Sequence, residues 1–400
     1  MSRVVVVLPS NTYRATDFLN AAESLDIDLI VASEHPSPID MGDRYVTIDC
    51  SDPLAAAETI ARHGENVPID AVVAADDQGV MVAAHASALL GLPGNRPEAA
   101  ALTRNKLAMR QRLAAGEVDQ PRFAPLEPDD GPESAAGLVG YPLVMKPLDR
   151  SASQGVIRVD RPEDVRPTAE RIRSIVGGDA TLLLEAYAPG LEIAIEGLIT
   201  NRELSVLAVF DKPDSGPGPY FPETIFVTPS RLPEPALAES ERVARAAVQA
   251  LGLAQGPVHV EVRVDGARAR VIEVAARSIG GLCSRSLNFG LMGTSLESLI
   301  LRNALQATRP VLKRESVASG VLMIPTPERG TLAGIGGEQE TRAIDGVTGM
   351  DFTIALGEPI VPPPEGDRYL GFVYARSELP EQVETALRKA MVTLEVQLEG

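Results

Sequence analysis

The amino-acid sequence predicts a mixed α/β and α+β protein, with an N-terminal open parallel sheet, antiparallel sheets after it, and a strand-rich C-terminal unit. Over residues 1 to about 95, short apolar runs alternate with helical segments, which is the order of an open parallel sheet with helices on both faces. From residue 122 onwards, strands follow one another with turn signals between them, as in antiparallel sheets. A chain of 400 residues is also long enough for two to four packed units.

The composition limits the partners that we expect. Hydrophobic residues make up 44% of the chain and aromatic residues only 4%, so Val, Ala and Leu must fill the cores. The 37 basic and 55 acidic residues give a net charge of −18, which argues against nucleic acid or an anionic membrane as a general partner. A local basic pocket for phosphates remains compatible with this charge.

The cysteines and the apolar runs indicate the compartment. Cys50 and Cys283 lie far apart, which suits a reducing environment and excludes a disulfide framework or a cysteine-rich zinc site. The apolar run Val4–Leu8 is short and ends at Pro9, so it predicts a strand and not a signal sequence. No stretch approaches the roughly 20 apolar residues of a membrane span. We therefore expect a cytoplasmic protein with no membrane partner.

The N-terminal elements can be placed individually. The first strand is not followed by a Gly-x-Gly-x-x-Gly sequence, which disfavours a dehydrogenase that binds a nicotinamide or flavin cofactor. Asp76 and Asp77 follow the fourth strand, at the sheet edge where ligands bind, although capping of the next helix explains them equally well. We predict strands at Val4–Leu8, Leu29–Ala32, Tyr45–Ile48 and Ala71–Ala75, and helices at Thr16–Leu25, Pro53–His63 and Gln78–Leu90.

Two lysines are notable in the middle of the chain. Lys106 lies on a helix predicted from about Pro97 to Ala115, and a solvated face would explain it together with its neighbours Arg104 and Asn105. Lys146 ends an apolar strand, so its ammonium must either extend to solvent or meet an anion. The small residues 151–155 that follow have backbone N–H groups suited to wrapping phosphates, although they lack the Gly-Lys-Ser/Thr of a Walker A loop.

The segment GPVHVEVRVDGARARVIEVAARSIGG, residues 256–281, predicts a hairpin that carries Glu261 and Glu273. A two-residue loop at Asp265-Gly266 would send these carboxylates to opposite faces. A three-residue loop, with Gly266 in a left-handed bulge, would put both on one face together with His259. Two carboxylates on one face repel each other unless a cation lies between them, and Mg²⁺ shared with nucleotide phosphates fits this arrangement. An acidic, solvated hairpin is an equally acceptable interpretation of the segment.

The remaining elements complete the order of the chain. The Gly/Pro-rich loop from Asp211 to Phe221 is long enough to be functional. Turns are predicted at Gly336-Gly337, Asp345-Gly346 and Pro362–Gly366 in the last 90 residues. Further helices are predicted near Pro162–Ile175, at Leu237–Leu251 and Leu296–Ala307, and from about Pro380.

In this order, the features resemble the ATP-grasp superfamily over nearly the whole chain. In that family ATP lies between two antiparallel sheets and two lysines hold its phosphates, which implies these roles for Lys106 in RNKLAMR and Lys146 in VMKP. The resemblance implies that the loop at 151–155 is a flexible lid over the phosphates. Its implied nucleotide contacts are Ser151, Ser153, Gln154 and Gly155.

The same resemblance assigns the rest of the nucleotide site. In LLLEAYAPGLE it implies that Glu185, Ala186 and Tyr187 contact the adenine and that Glu192 binds the ribose hydroxyls. It assigns Mg²⁺, or Mn²⁺ in its place, to the pair Glu261 and Glu273.

One departure from the common pattern points to a branch of the family. Many members have Glu-x-Asn at the second metal-binding carboxylate, and here Ala275 stands where that Asn would be. The sequence IEVAARSIGG looks like the Glu-x-Ala-Ala-Arg form of the L-amino-acid ligase branch, which makes dipeptides. FPETIFVTPSRLP and the last 90 or so residues are similar to that branch as well. The resemblance implies catalytic roles for Arg277, Lys146 and Ser153, with Arg277 steadying the phosphorylated intermediate.

The predicted function is an ADP-forming, ATP-dependent carboxylate–amine ligase that joins small molecules, most simply amino acids, through an acyl phosphate. A carboxylate is a poor acyl donor because oxide would have to leave, and phosphorylation by ATP removes this obstacle. The transfer requires charge neutralisation, which Mg²⁺ and the basic residues would supply. One alternative is an ATP-grasp ligase or carboxylase of the purine or biotin-carboxylase type, using bicarbonate or another acceptor. Another is a non-catalytic nucleotide-binding protein.

The resemblance also divides the chain into four predicted units. Residues 1–95 form the N-terminal domain, and residues 96–180 hold a linker helix and the small lid subdomain. Residues 181–310 form the large subdomain with the metal site, and residues 311–400 form a unit that covers the site. A homodimer is the default assembly for a soluble oligomer.

Overall fold

The computed structural model describes residues 2–10, 12–37, 39–216, 218–306 and 313–399. The first strands pair in parallel, which confirms the predicted open sheet. Alternate valines of the first strand enter two different cores, one on each face of the sheet. Burial on both faces explains why this strand is continuously apolar. The elements are β1 (Arg3–Val7), α1 (Ala15–Ser24), β2 (Asp28–Ser33), β3 (Tyr45–Thr47), α2 (Pro53–Gly64), β4 (Ala71–Ala74) and α3 (Val80–Leu90), with strand order β3-β2-β1-β4.

The next part of the chain forms an antiparallel sheet of four strands, which we call the small sheet. Two helices pack on it around a core of aliphatic side chains. The elements are α4 (Pro97–Leu102), α5 (Lys106–Ala115), β5 (Phe123–Leu126), α6 (Pro132–Val139), β6 (Leu143–Pro147), β7 (Ile157–Val159), α7 (Val165–Val176) and β8 (Leu182–Ala186), and the strand order is β5-β8-β6-β7.

The prediction of one helix from Pro97 to Ala115 is wrong, because the chain breaks between α4 and α5. Asn105 caps α5: its side-chain oxygen accepts the backbone N–H of Ala108 at 2.9 Å. Asparagine is favoured at this position because its side chain satisfies an N–H group that has no partner within the helix. The break places Lys106 at the first position of α5.

The remaining strands form a large antiparallel sheet and a separate sheet of three strands within the described residues. The elements are β9 (Leu191–Thr200), β10 (Glu203–Lys212), β11 (Ile225–Thr228), α8 (Glu234–Leu251), β12 (Gly256–Asp265), β13 (Arg268–Ala275), α9 (Leu296–Ala304), β14 (Ala318–Ile324), β15 (Gly330–Gly336), α10 (Glu338–Arg342), β16 (Val347–Phe352), β17 (Pro359–Ile360), β18 (Gly371–Ser377), α11 (Pro380–Thr393) and β19 (Glu395–Glu399). The strand order is β13-β12-β9-β10-β11-β14-β18-β16 in the large sheet and β17-β15-β19 in the separate one.

Sheet membership crosses two of the predicted unit boundaries. β8, which follows residue 180, belongs to the small sheet, while β14, β16 and β18 continue the large sheet that begins before residue 310. The division into four units therefore stays a prediction. The predicted helix end at Ala307 and the boundary at 310–311 lie outside the described residues. In the part of the chain that the structure describes, no helix is long and apolar enough to cross a bilayer.

Candidate active site

A cleft of about 800 Å³ lies where the carboxyl edge of the parallel sheet meets the small sheet and the large sheet. Its wall includes eleven of the thirteen residues to which the sequence analysis assigns a role: Lys106, Lys146, Ser151, Ser153, Glu185, Ala186, Tyr187, Glu192, Glu261, Glu273 and Arg277. The other two, Gln154 and Gly155, contact residues 364–365 instead. The structure thus brings the predicted site residues to one place, and their roles stay predictions.

Glu261 and Glu273 lie directly opposite each other on β12 and β13 and therefore share a face, as predicted. His259 lies on the same side and also lines the cleft. The intervening valines of β12 are buried in the core on the other face. This alternation is what positions two carboxylates and an imidazole together.

The predicted three-residue loop with a bulge at Gly266 is wrong. Asp265 pairs with Arg268, so Gly266-Ala267 is a two-residue turn, and the positive φ of Gly266 (61°) suits the first central position of a type II′ turn. The register shifts between Glu261 and Val262, where Ile272 is the extra residue of the return strand. That bulge, beside the site, is what returns both carboxylates to one face.

The two predicted phosphate-binding lysines are both paired with carboxylates. The Lys106 ammonium lies 3.3 Å from Glu273 and donates to the Arg150 carbonyl at 2.6 Å. The Lys146 ammonium lies 2.6 Å from Glu185. Burial lowers the pKa of Lys146, and the Glu185 carboxylate offsets this only in part. Each lysine is thus a buried or nearly buried cation at the cleft wall.

The Glu185 carboxylate is fully engaged. It accepts from Arg110 at 2.5 Å as well as from Lys146, and although burial alone would raise its pKa, these two cations lower it to about 2. The backbone N–H groups of Ala186 and Tyr187 donate to the carbonyls of Arg122 and Pro142 at 2.8 and 2.9 Å. These two N–H groups are therefore not free to donate to a ligand in the cleft.

Sequence reasoning missed Lys212, which ends β10 and is 6% exposed. Its ammonium lies 2.8 Å from Glu223 and 2.7 Å from Glu261, and it also contacts Glu192. Although burial lowers the pKa of an ammonium, these three carboxylates raise the pKa of Lys212 well above its usual value. A signal was present, because a Lys-Pro pair ends a strand here just as at Lys146-Pro147.

His259 joins the carboxylates of the hairpin to the next strand. Its Nδ1 contacts Glu196 and its Nε2 lies 3.6 Å from Glu261. Burial disfavours the charged ring, but the two carboxylates prevail and raise the pKa of His259 to about 9. Glu196 also accepts the backbone N–H of Ile279 at 2.9 Å. The charged imidazole thus fixes Glu261 relative to the segment that follows Arg277.

The free energy of unfolding should fall as the pH rises from about 6.5 to about 9. The pKa of His259 is higher in the folded than in the unfolded chain, so its stabilising contribution is complete below pH 6.5 and disappears as the pH passes through 9. His259→Asn should remove most of this dependence, on the order of a few kcal/mol. Urea unfolding followed by circular dichroism at pH 6 to 9.5 measures it. His63→Asn serves as the control, and an unchanged slope in His259→Asn would contradict the assignment.

Arg277 is held across the cleft by Asp77. Its Nε donates to Asp77 at 2.9 Å, its Nη1 donates to the Ser278 carbonyl at 2.9 Å, and Arg104 binds the same carboxylate at 2.8 Å. Burial would raise the pKa of Asp77, but the two guanidinium groups lower it to about 2. The Asp76 side chain makes no capping bond to the following helical turn and accepts from Thr12 instead. Both aspartates therefore belong to the cleft.

Arg14, which is 0% exposed, connects the parallel sheet to the segment that follows the hairpin. It donates to the Ala75 carbonyl at 2.9 Å, to Ser278 at 2.7 Å and to Glu297 at 2.6 Å. A buried guanidinium is tolerated when it is paired and hydrogen-bonded. The parallel sheet and the segment after the hairpin are thereby fixed to each other next to Asp77 and Arg277.

The donor set on the hairpin fits Mg²⁺ bound together with phosphates. Across the described residues, no group of three or more His, Cys, Asp or Glu side chains forms a metal cage made by the protein alone. Mg²⁺ at nucleotide sites is commonly held by one or two carboxylates plus phosphate oxygens and water. Glu261 and Glu273, facing each other at the cleft, are such a pair.

Family models match three parts of the chain. They describe an ATP-grasp N-terminal domain over residues 19–94, an ATP-grasp domain over residues 139–286, and an L-amino acid ligase C-terminal domain 2 over residues 322–399. An L-amino acid ligase from Bacillus licheniformis has a TM-score of 0.82 and 24% identity, covering 100% of this chain and 99% of that one. The predicted ATP-grasp fold is therefore confirmed.

Two curated relatives are ligases. A D-alanine–D-alanine ligase of Desulforudis audaxviator is 30% identical over 50% of this chain and 66% of its own length. An alanine–anticapsin ligase of Bacillus subtilis is 27% identical over 56% of this chain and 51% of its own length. The chain thus spans between half and two thirds of these relatives. With its three matching domains and its fold, the chain belongs to the ATP-grasp superfamily of ATP-dependent ligases and resembles the L-amino-acid ligase branch.

Proposed function

We propose that this protein uses ATP and Mg²⁺ to join two amino acids, activating the carboxylate of one as an acyl phosphate and releasing ADP and phosphate. The observation that carries the proposal is that one cleft holds the carboxylate pair of the hairpin together with the cations Lys106, Lys146 and Arg277. The match of residues 322–399 to an L-amino acid ligase domain supports amino acids as the substrates.

The roles of the side chains follow from their charges and positions. Glu261 and Glu273 would hold Mg²⁺, which would neutralise phosphate charge. Lys106 and Lys146 would hold the phosphates of ATP by exchanging their present carboxylate partners for phosphate oxygens. Arg277 would bind the oxygens of the acyl phosphate, while Ser151 and Ser153 would cover it from the loop above. The attacking amine then forms the amide bond and phosphate leaves.

One part of the cleft wall is aromatic, although aromatic residues are only 4% of the chain. The ring of Phe372 lies 6.3 Å from that of Tyr13 and 6.4 Å from that of Tyr369. The segment after Arg277 packs directly on this wall, since a Cβ on Gly281 would lie 2.4 Å from Phe372. An apolar wall beside the reacting groups favours an apolar side chain on one of the two amino acids.

A phosphate-release screen over amino-acid pairs tests the proposal. We expect release with pairs that contain Leu, Met or Phe, and mass spectrometry should detect the matching dipeptide. Each methylene that fits the apolar wall is worth about 10- to 200-fold in kcat/KM, so Ala or Ser in the same place should be far poorer. Release triggered by bicarbonate alone would favour a carboxylase. Nucleotide binding without release under any condition would favour a non-catalytic protein.

A further inference from the structure

The loop at 151–155 is hydrogen-bonded to the C-terminal part of the chain. The backbone N–H of Gly155 donates to the Pro364 carbonyl at 2.8 Å, and the side-chain amide of Gln154 donates to the Glu365 carbonyl at 2.8 Å. The resemblance to the family implied that Gln154 contacts the nucleotide, but its amide is directed at the C-terminal unit. We call residues 362–366, which carry these carbonyls, the latch turn.

The latch turn also holds the helix that lies behind the loop. The Glu365 carboxylate accepts from Nε and Nη2 of Arg171, on α7, at 2.9 and 2.8 Å. The same guanidinium donates to the Tyr220 hydroxyl at 2.6 Å and lies 5.3 Å from the centre of its ring. Tyr220 belongs to the long loop between β10 and β11, so the latch turn, α7 and this loop meet at the Arg171 guanidinium.

The latch turn leads into the large sheet. It lies between β17 and β18, and β18 is a strand of the large sheet that carries the hairpin. Gly366 closes the turn by donating its N–H to the Pro362 carbonyl at 3.0 Å, and a Cβ there would lie 1.8 Å from the Val361 carbonyl oxygen. A glycine is therefore required at this position for the backbone to approach itself so closely.

These contacts are weak enough for the loop at 151–155 to open in every catalytic cycle. The side chains of Arg171 and Glu365 are 43% and 30% exposed, and ion pairs so exposed to water contribute little to stability. Two hydrogen bonds and one exposed ion pair are enough to bias a loop towards closure. They are too weak to prevent its release.

We propose that Gln154 and Glu365 are positioning residues that keep the loop at 151–155 closed over the bound nucleotide and the acyl phosphate. This inference rests on the proposed function. In the closed site the amine attacks the acyl carbon, an amide forms and phosphate leaves. When the loop opens early, water attacks instead, and the acyl phosphate returns to carboxylate and phosphate. The net result is then hydrolysis of ATP to ADP and phosphate without product.

Gln154→Ala and Glu365→Gln test the two halves of the contact separately. We expect the ratio of ligated product to ADP formed to fall at least twofold in each variant, and ADP to dissociate several-fold faster. Melting temperatures should stay within about 2 °C of the parent, because the ion pair of Glu365 is exposed and the Gln154 contact is only partly buried. The control is Arg166→Gln. Arg166 is also on α7, and its replacement breaks an exposed ion pair with Glu133, at 2.9 Å, within the small-sheet region.

The two readouts separate failure of the inference from failure of the proposed function. Stopped-flow release of N-methylanthraniloyl-ADP from each variant measures loop opening without any ligation. Faster release in Gln154→Ala and Glu365→Gln, but not in Arg166→Gln, supports the inference even if no amino-acid pair reacts. Release rates equal to those of the parent in both variants, or an unchanged ratio of amide to ADP in an active enzyme, would overturn it.

Discussion

Arg277→Lys should bind ATP nearly normally yet form little product, with kcat lowered by about 10²-fold or more. A guanidinium presents two parallel donors in one plane to the oxygens of an acyl phosphate or of the tetrahedral species that follows it. Lysine keeps the charge but offers a single point of contact. A contact made only in the transition state lowers kcat and leaves the affinity for ATP almost unchanged.

The structure also supplies the competing explanation and a control for it. In that explanation, Arg277 only joins two parts of the fold, through the bond of its Nε to Asp77 at 2.9 Å. Arg104 binds the same carboxylate at 2.8 Å but does not line the cleft. Arg104→Lys should therefore keep nearly full kcat. Calorimetric ATP affinity, kcat and melting temperature are measured on one preparation of each variant; a lower melting temperature with unchanged kcat would make Arg277 structural.

Glu273→Gln should lower the rate of ATP turnover by more than roughly 10- to 100-fold. A loss of that size is typical when the mutated residue only supports a metal ligand, whereas Glu273 would bind Mg²⁺ directly. The exchange adds no bulk and removes one of the two charges that would hold Mg²⁺. Turnover of ATP at saturating Mg²⁺ measures the loss. Asp265→Asn, the same chemical exchange at the tip of the same hairpin and outside the cleft, is the control and should be nearly neutral.

Glu261→Gln gives a companion result with a different signature. Glu261 accepts from Lys212 at 2.7 Å and faces the charged ring of His259, so its replacement perturbs the buried network as well as the metal site. We expect it to lose activity and to melt at a lower temperature, whereas Glu273→Gln should melt closer to the parent, because the Glu273 side chain is 26% exposed and lies 3.3 Å from Lys106. Near-normal turnover by both variants at saturating Mg²⁺ would refute the metal assignment.

Local patterns predicted the elements well where one physical cause dominates. The parallel sheet was predictable because strands buried on both faces are continuously apolar. The sequence predicts that Glu261 and Glu273 share a face, but it does not predict the bulge at Ile272 that produces this arrangement. A break in alternation at Val271-Ile272, two apolar residues in succession, was the available signal for the bulge. The break before Lys106 was missed because Asn105 was considered part of a solvated face and not a cap.

The long-range ion pairs of the site were beyond the reach of one sequence. Asp77 and Arg277 are 200 residues apart, and Arg14 and Glu297 are 283 apart, with no local pattern that connects them. Asp77 stands out in the sequence because it follows a predicted strand, and Arg277 because it follows the predicted hairpin. That they hold each other follows only from the packing of the two sheets. The same is true of Lys212, whose three carboxylates come from three other strands or loops.

The pairing of β11 with β14 restricts how this protein can be shortened or recombined. Residues Ile225–Thr228 of β11 are buried and bond along one side to the chain that follows residue 313. Without that chain, an apolar strand would present its unpaired N–H and C=O groups to other molecules, which is a template for aggregation. The C-terminal region is thus part of the sheet that forms the hairpin with Glu261 and Glu273, and it is not a detachable module. Exchange of substrate-binding parts between related enzymes must therefore leave the β11–β14 pair intact.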